Sequence, residues 1–330
     1  MQLEPRGMDE PVWRFPQLEY ACIRCGKSCG QWRIWVEPEL VPAIRSHRLS
    51  LEREVAGRSP LEESAEGAHL LHDAQGRCHF LGQDALCELH PDRGWQGKPR
   101  ACRQFPFFLY DTPSGVQVGL SFRCTAVKQL NPSDVPWSEH KEVLSNLWHS
   151  GQYPKIGYQA EPFGNLKLDW STYLGWEARW IQRLETLPLW QACQPELEAH
   201  LPYFWPEPLL DAQLAHLAAA SRGFLEGLAW EQLGDFARQH AGQMTAGQQP
   251  ESVRYLTHVL ERKTLWWGPS VLAQLSMVLV AERLLQHYSS SLGANQALDR
   301  VEGEWLAHRH DLSPLATAFA QRLLQPAGAN

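Results

Sequence analysis

The chain has 330 residues, 44% of them hydrophobic, which is enough for one large domain or two ordinary ones with a sizeable core. A formal net charge of -7 and a pI near 6.1 argue against a nucleic-acid-binding face over the whole molecule, so no nucleic-acid partner is expected. The first fifteen residues lack an apolar run, and the longest apolar stretch, Val271 to Ala281, contains Gln274 and Ser276 and is too short to span a bilayer. A soluble, cytoplasmic protein without a membrane partner is the expectation, in a compartment where disulfides are rare.

In chain order, residues 1–20 read as an irregular lead-in with Phe15 and Tyr20 as anchors. Cys22-Ile-Arg-Cys25-Gly-Lys-Ser-Cys29-Gly30 follows, three thiols within eight residues. Gly26 and Gly30 let this loop turn tightly and aim N–H groups at sulfur. Trp32, Ile34 and Val36 alternate, which predicts a short strand over 31–36. Pro38 stands near the start of a predicted helix from Glu37 to His47, and 48–67 reads as a charged surface segment. Asp73 to Gly76 is a turn signal, after which Cys78 and Cys87 stand on the two arms of a predicted hairpin. Cys102 lies between Pro99 and Pro106. A second hairpin pairs Phe107–Tyr110 with Val116–Phe122 and aims Cys124 back toward the other thiols.

Asn131 to Pro136 is a plausible boundary. Beyond it, helices are predicted over 137–149, 171–187, 209–220, 230–240, 252–263, 269–288, 298–308 and 313–324. The expected fold class is therefore α+β. A small, irregular cysteine-rich domain with short hairpins spans 1–132, and a mainly helical domain of unknown role spans 133–330.

Seven of the eight cysteines precede residue 125, a bias that buried structural cysteines would not show. Cys22, Cys25, Cys29, Cys78, Cys87, Cys102 and Cys124 are the candidate metal ligands, and Cys193 reads as a small buried hydrophobe. The spacing matches neither paired zinc knuckles nor bacterial ferredoxins, and the radical S-adenosylmethionine order of cysteines is absent. His79 and His90 could join a mixed zinc shell, although a surface or supporting role fits them better. Arg100 and Arg103 bracket Cys102 and could offset thiolate charge, hold an anionic group, or form plain surface ion pairs. Trp170, Tyr173, Trp176 and Trp180 recur at helical spacing and read as helix core before aromatic cage.

Cys22, Cys25, Gly26 and Cys29, then Cys78, Phe80, Leu81 and Cys87, then Pro99, Cys102, Arg103, Phe105 and Pro106 resemble the YkgJ-type cysteine-cluster family over roughly residues 20–125. That resemblance implies a zinc- or iron-chelating domain. Ser28 stands where the family's cysteine doublet has its other thiol. Gly30, Trp32, Ile34, Val36 and Cys124 are similar to the related flagellin lysine N-methylase branch, which implies an iron–sulfur cluster and S-adenosylmethionine-dependent methyl transfer to protein lysine.

The residues alone support a metal-binding protein, with an iron–sulfur cluster, [4Fe–4S], favoured over zinc. The resemblance adds a protein-lysine N-methylase using S-adenosylmethionine as the alternative. A redox-sensing module that docks a protein partner is the third reading. The sequence designates no catalytic residue and no binding residue for a substrate. Seven clustered thiols exceed the four that one site needs, which implies a second site or nearby structural or redox roles.

Overall fold

A computed structural model describes residues 10–30, 34–55, 59–65, 67–129, 135–158, 168–197, 250–267 and 271–306. The fold is α+β, with short strands before residue 121 and helices dominating afterwards. The chain divides into two compact units. The first is built on Leu18–Phe108 and Arg123–Gln152, the second on Asp9–Gln17, Leu109–Phe122 and the described residues from Tyr153.

In the first unit, Gly67–Leu70 is the central strand of a three-stranded antiparallel sheet, with Ile34–Val36 on one side and Leu61–Ser64 on the other. Period two explains its core face: Ile34 and Leu61 both lie opposite Leu70, and Val36 lies opposite Ala68. Those five are buried, whereas Trp35, between them, is 44% exposed. Ile44, Phe80 and Leu89 complete this core, and Cys78, Cys87 and Cys102 pack against it. Trp32 lies outside the described residues.

The helix expected from Glu37 to His47 forms only over Val41–Arg45. Residues 37–40 turn instead, because Leu40 N–H bonds to the Glu37 carbonyl and the Glu37 carboxylate is held by Arg100 N–H at 2.8 Å. The segment 48–67 is more regular than expected, carrying the helix Arg48–Val55 and the strand Leu61–Ser64. The hairpin expected between Cys78 and Cys87 shrinks to isolated bridges, His72 with Cys78 and Leu81 with Cys87. Asp84 and a left-handed Ala85 (φ 61°) make the connection turns rather than strands. Short helices Leu89–Arg93, Arg100–Gln104 and Thr125–Gln129 then follow the later cysteines or contain one. Helix Lys141–Ser150 buries Leu144, Leu147 and Trp148.

In the second unit, Gly115–Leu120 is the central strand, parallel to Trp13–Arg14 and forming a hairpin with Phe107–Thr112. Alternation was expected here, yet Val116 to Leu120 are all buried. Part of the reason is Gly119, where a Cβ would stand 2.6 Å from Arg262 Cβ, so the facing chain approaches closely. The helices Trp170–Leu184, Leu189–Leu197, Pro250–Glu261, Val271–Leu292 and Ala294–Arg300 follow, the last continuing as a π-helical turn, Val301–Trp305. The helices expected over 209–220, 230–240 and 313–324 lie outside the described residues. Tyr173, Trp176 and Trp180 are helix core: Tyr173 and Trp180 are fully buried, and Trp266 packs edge-on to Trp170 and Tyr173 at 5.3 and 5.2 Å.

Candidate metal centre

Residues Lys27–Gly30 form a 3-10 turn that presents Cys29, with Cys29 N–H bonded to the Gly26 carbonyl at 3.0 Å. Gly26 is left-handed (φ 64°), and a Cβ there would press on Leu81 and Ala85 at 3.2 Å. Gly30 is needed for close approach rather than for its dihedral angle: a Cβ there would sit 2.5 Å from the Gly76 carbonyl oxygen. The turn at 73–76 is therefore pressed against the cysteine loop, and Cys78 N–H reaches the Cys29 carbonyl at 3.0 Å. This clamp sets Cys29 beside Cys78.

Cys29, Cys78, Cys87 and Cys102 line one cavity of about 70 Å³, whose other walls are mainly apolar, among them Ile34, Leu70, Phe80, Leu89 and Phe105. A single water needs roughly 10–15 Å³, so the space exceeds a packing defect. All eight cysteines are free thiols. Among the described residues, no three Cys, His, Asp or Glu side chains already converge closely enough to hold a metal ion. The four sulfurs surround a space instead of meeting at a point.

Burial is the largest influence on these thiols and favours their protonated form. It pushes Cys102 up strongly, with the neighbouring Cys78, Cys87 and Cys29 adding to the effect. Cys29 and Cys87 are also raised by burial. A metal entering the cavity would have to displace these protons. Two features work the other way. Cys87 accepts N–H bonds from Leu89 and His90, and Lys98 lowers Cys29, Cys87 and Cys102 alike. Lys98 escaped the sequence reading. It lies only four residues before Cys102, but the spacing carries no signal that its charge faces three thiols.

Arg100, Arg103, His79 and His90 do not line the cavity. Arg100 N–H binds Glu37 and its guanidinium donates to the Gln152 carbonyl at 2.8 Å, while Arg103 donates to Gln96 at 2.5 Å and stacks over Trp95 at 5.2 Å. His90 is exposed and serves Cys87 through its backbone. His79 is buried but is not part of the cavity wall.

Cys22, Cys25 and Cys124 do not line the cavity. Cys124 is buried before the helix Thr125–Gln129, and its sulfur accepts N–H bonds from Ala126 and Val127. Cys22 is exposed, and the N–H of left-handed Arg24 (φ 51°) points at its sulfur from 3.4 Å. Tyr20 is buried among Cys22, Cys25 and Cys124, and its hydroxyl hydrogen-bonds to Cys22. Its carbonyl takes His140 Nε2 at 2.8 Å, and its ring meets Phe107 edge-on at 5.5 Å. Cys193 is fully buried within the helix Leu189–Leu197 of the second unit.

Residues 21–132 match the CxxCxxCC family, described as a "Putative zinc- or iron-chelating domain". A protein of Methanocaldococcus jannaschii, "Uncharacterized protein MJ0939", is 24% identical over 166 residues. The similarity covers 47% of this chain and 56% of that protein, so the chain spans little more than half the length of this curated relative. No solved structure matches the chain. No helix among the described residues is long and apolar enough to cross a membrane.

Proposed function

We propose that the segment 21–132 is a metal-binding domain that holds an iron–sulfur cluster on Cys29, Cys78, Cys87 and Cys102. The observation that carries this reading is the shared cavity: these four thiols come from four separate segments, a 3-10 turn, two isolated bridges and a short helix, and wall the same largely apolar space. Four thiolates are the usual complement of a [4Fe–4S] cluster and of a structural zinc ion alike. A cavity of about 70 Å³ walled by the four thiols leaves room for the larger group. When bound, such a cluster supplies one-electron chemistry and ties the four segments together, so its binding free energy is also folding free energy. Lys98 offsets part of the thiolate charge, and the Leu89 and His90 N–H groups orient Cys87.

The test is anaerobic purification with iron, sulfide and zinc analysis and a visible spectrum, repeated on Cys102→Ser. Brown protein that loses cluster in the variant supports the reading. Colourless wild-type protein that fails to take up iron and sulfide on reconstitution, but carries one zinc, would replace the cluster with zinc. A wild type that takes up neither metal would overturn the metal centre. Methyl transfer from S-adenosylmethionine to protein lysine rests on the resemblance of the N-terminal region alone. Incubation with labelled cofactor and candidate proteins tests it, and absence of label on lysine with the centre intact counts against it.

A further inference from the structure

Cys22 and Cys25 stand outside the four-thiol cavity and form a C-x-x-C pair, the spacing at which two thiols work as a redox couple. The loop that carries them bends around that pair. Arg24 and Gly26, the residues on both sides of Cys25, are left-handed, with φ of 51° and 64°. A residue with a Cβ, as Arg24 has, rarely adopts that conformation, and such residues concentrate at functional turns. The Arg24 N–H points at the Cys22 sulfur from 3.4 Å, so that sulfur is folded back onto the residue that immediately precedes Cys25. The two thiols differ in access. Cys22 is exposed, as are Ile23 and Arg24, whereas Cys25 is half-buried. An open sulfur that a reagent can reach, followed by a sheltered one, is the arrangement of an attacking and a resolving cysteine.

We propose that Cys22 and Cys25 are a redox-active dithiol, which a low-molecular-weight disulfide closes to a Cys22–Cys25 bond. The Cys22 sulfur attacks one sulfur of the external disulfide. A Cys22–sulfur bond forms, the external S–S bond breaks, and one thiolate leaves. The Cys25 sulfur then attacks Cys22 in this mixed disulfide, forming the internal bond and releasing the second thiolate. Two protein thiols are oxidised and the external disulfide is reduced to two thiols. The two protons given up by Cys22 and Cys25 pass to the departing thiolates. The proposal rests on the cavity reading only in leaving both sulfurs outside the metal centre.

The test treats the full chain, purified anaerobically, with oxidised glutathione, then alkylates the remaining thiols and digests with trypsin without reductant. Trypsin cuts after Arg14, Arg24 and Lys27, so Cys22 and Cys25 fall on separate fragments, 15–24 and 25–27. Mass spectrometry should find these two fragments joined by a disulfide. Cys25→Ser should stop at the mixed disulfide, with glutathione on Cys22, and Cys22→Ser should lose both products. Metal content, measured in parallel, should be unchanged in both variants. Because Cys22 is exposed, its variant keeps the test decisive if Cys25→Ser fails to fold. Cys102→Ser should lose metal and still form the linked pair. Fragments that stay separate and alkylated, or Cys22 joined instead to Cys29 or Cys124, would overturn the dithiol. Metal lost from Cys22→Ser would also overturn it, since Cys22 would then be a ligand. Wild type that yields the linked pair but takes up no metal would uphold the dithiol while the cavity reading fails.

Discussion

Cys78 donates its backbone N–H to the carbonyl of Cys29 at 3.0 Å, so two candidate ligands 49 positions apart are held together by backbone alone. The contact depends on Gly30, which leaves room for the Gly76 carbonyl. Gly30→Ala should push the 73–76 turn away and part the two thiols. Metal retention should weaken about 10–100-fold, the range seen when supporting groups around a metal are lost. Chelator competition measures it, and an unchanged affinity would mean the clamp does not set the site.

Cysteine position should decide the kind of damage a serine does. Cys102→Ser should release metal and lower the melting temperature of the first unit. Cys193→Ser should leave metal content untouched but cost about 1–3 kcal/mol, because a hydroxyl would replace a fully buried thiol. Metal analysis beside thermal unfolding separates the two, and metal loss from Cys193→Ser would contradict the assignment.

Lys98 is expected to act through charge. Lys98→Met removes the cation that lowers Cys29, Cys87 and Cys102, so metal uptake should weaken at neutral pH and recover as pH rises. Lys98→Arg should restore most of it. Uptake measured against pH for the three proteins checks this. A loss of uptake in Lys98→Met that is equal at every pH would point to packing instead.

The second unit carries two groups with opposite pH effects. Burial pushes Glu261 up to about 7, against the opposing N–H bond from Gln17 and the charge of Lys263. A carboxyl raised from 4.5 stabilises the fold below pH 4.5, and that contribution is lost as pH rises through 7. Burial, with Arg262 nearby, lowers His258 to about 3. Its contribution is present above pH 6.5 and is lost as pH falls toward 3. Glu261→Gln should therefore abolish the decline between pH 4.5 and 7, gaining on the order of a few kcal/mol over wild type above pH 7. Denaturant unfolding at several pH values checks it, and parallel curves for the two proteins would refute it.

Arg262 and Glu302 form a buried pair at 2.6 Å, and Tyr255 donates to the same carboxylate at 2.8 Å. Arg262→Met leaves that carboxylate without its cation and should cost about 3–5 kcal/mol. The double variant Arg262→Met with Glu302→Leu should recover much of the loss. A single variant as stable as wild type would show that the pair carries little.

The sequence made the metal chemistry legible because seven thiols clustered in a third of the chain are hard to explain by packing. It made Ile34 and Val36 legible as a buried face because period two leaves a direct trace, and the Trp170 to Trp180 stripe because helical period does the same. The partition of the thiols was not legible. Cys29 is only four positions from Cys25, yet it faces the cavity with Cys78, Cys87 and Cys102, because the glycine clamp turns it there. Spacing along a chain does not report which way a tight turn aims a side chain. Lys98 was hidden for the same reason, and the N–H donors of Cys87 and Cys124 because backbone groups carry no sequence signature.

Gln17 donates to Glu261, 244 positions away, within the second unit. This sets an order of assembly during synthesis. The segments that build the first unit are all on the ribosome's product by residue 152, whereas the second unit needs partners made more than a hundred residues later. Contacts of such long range form slowly, and strands that wait for them are exposed to mispairing. The cysteine-bearing unit can therefore collect its metal while the rest of the chain is still emerging, and a shortage of metal at that moment would be felt first there.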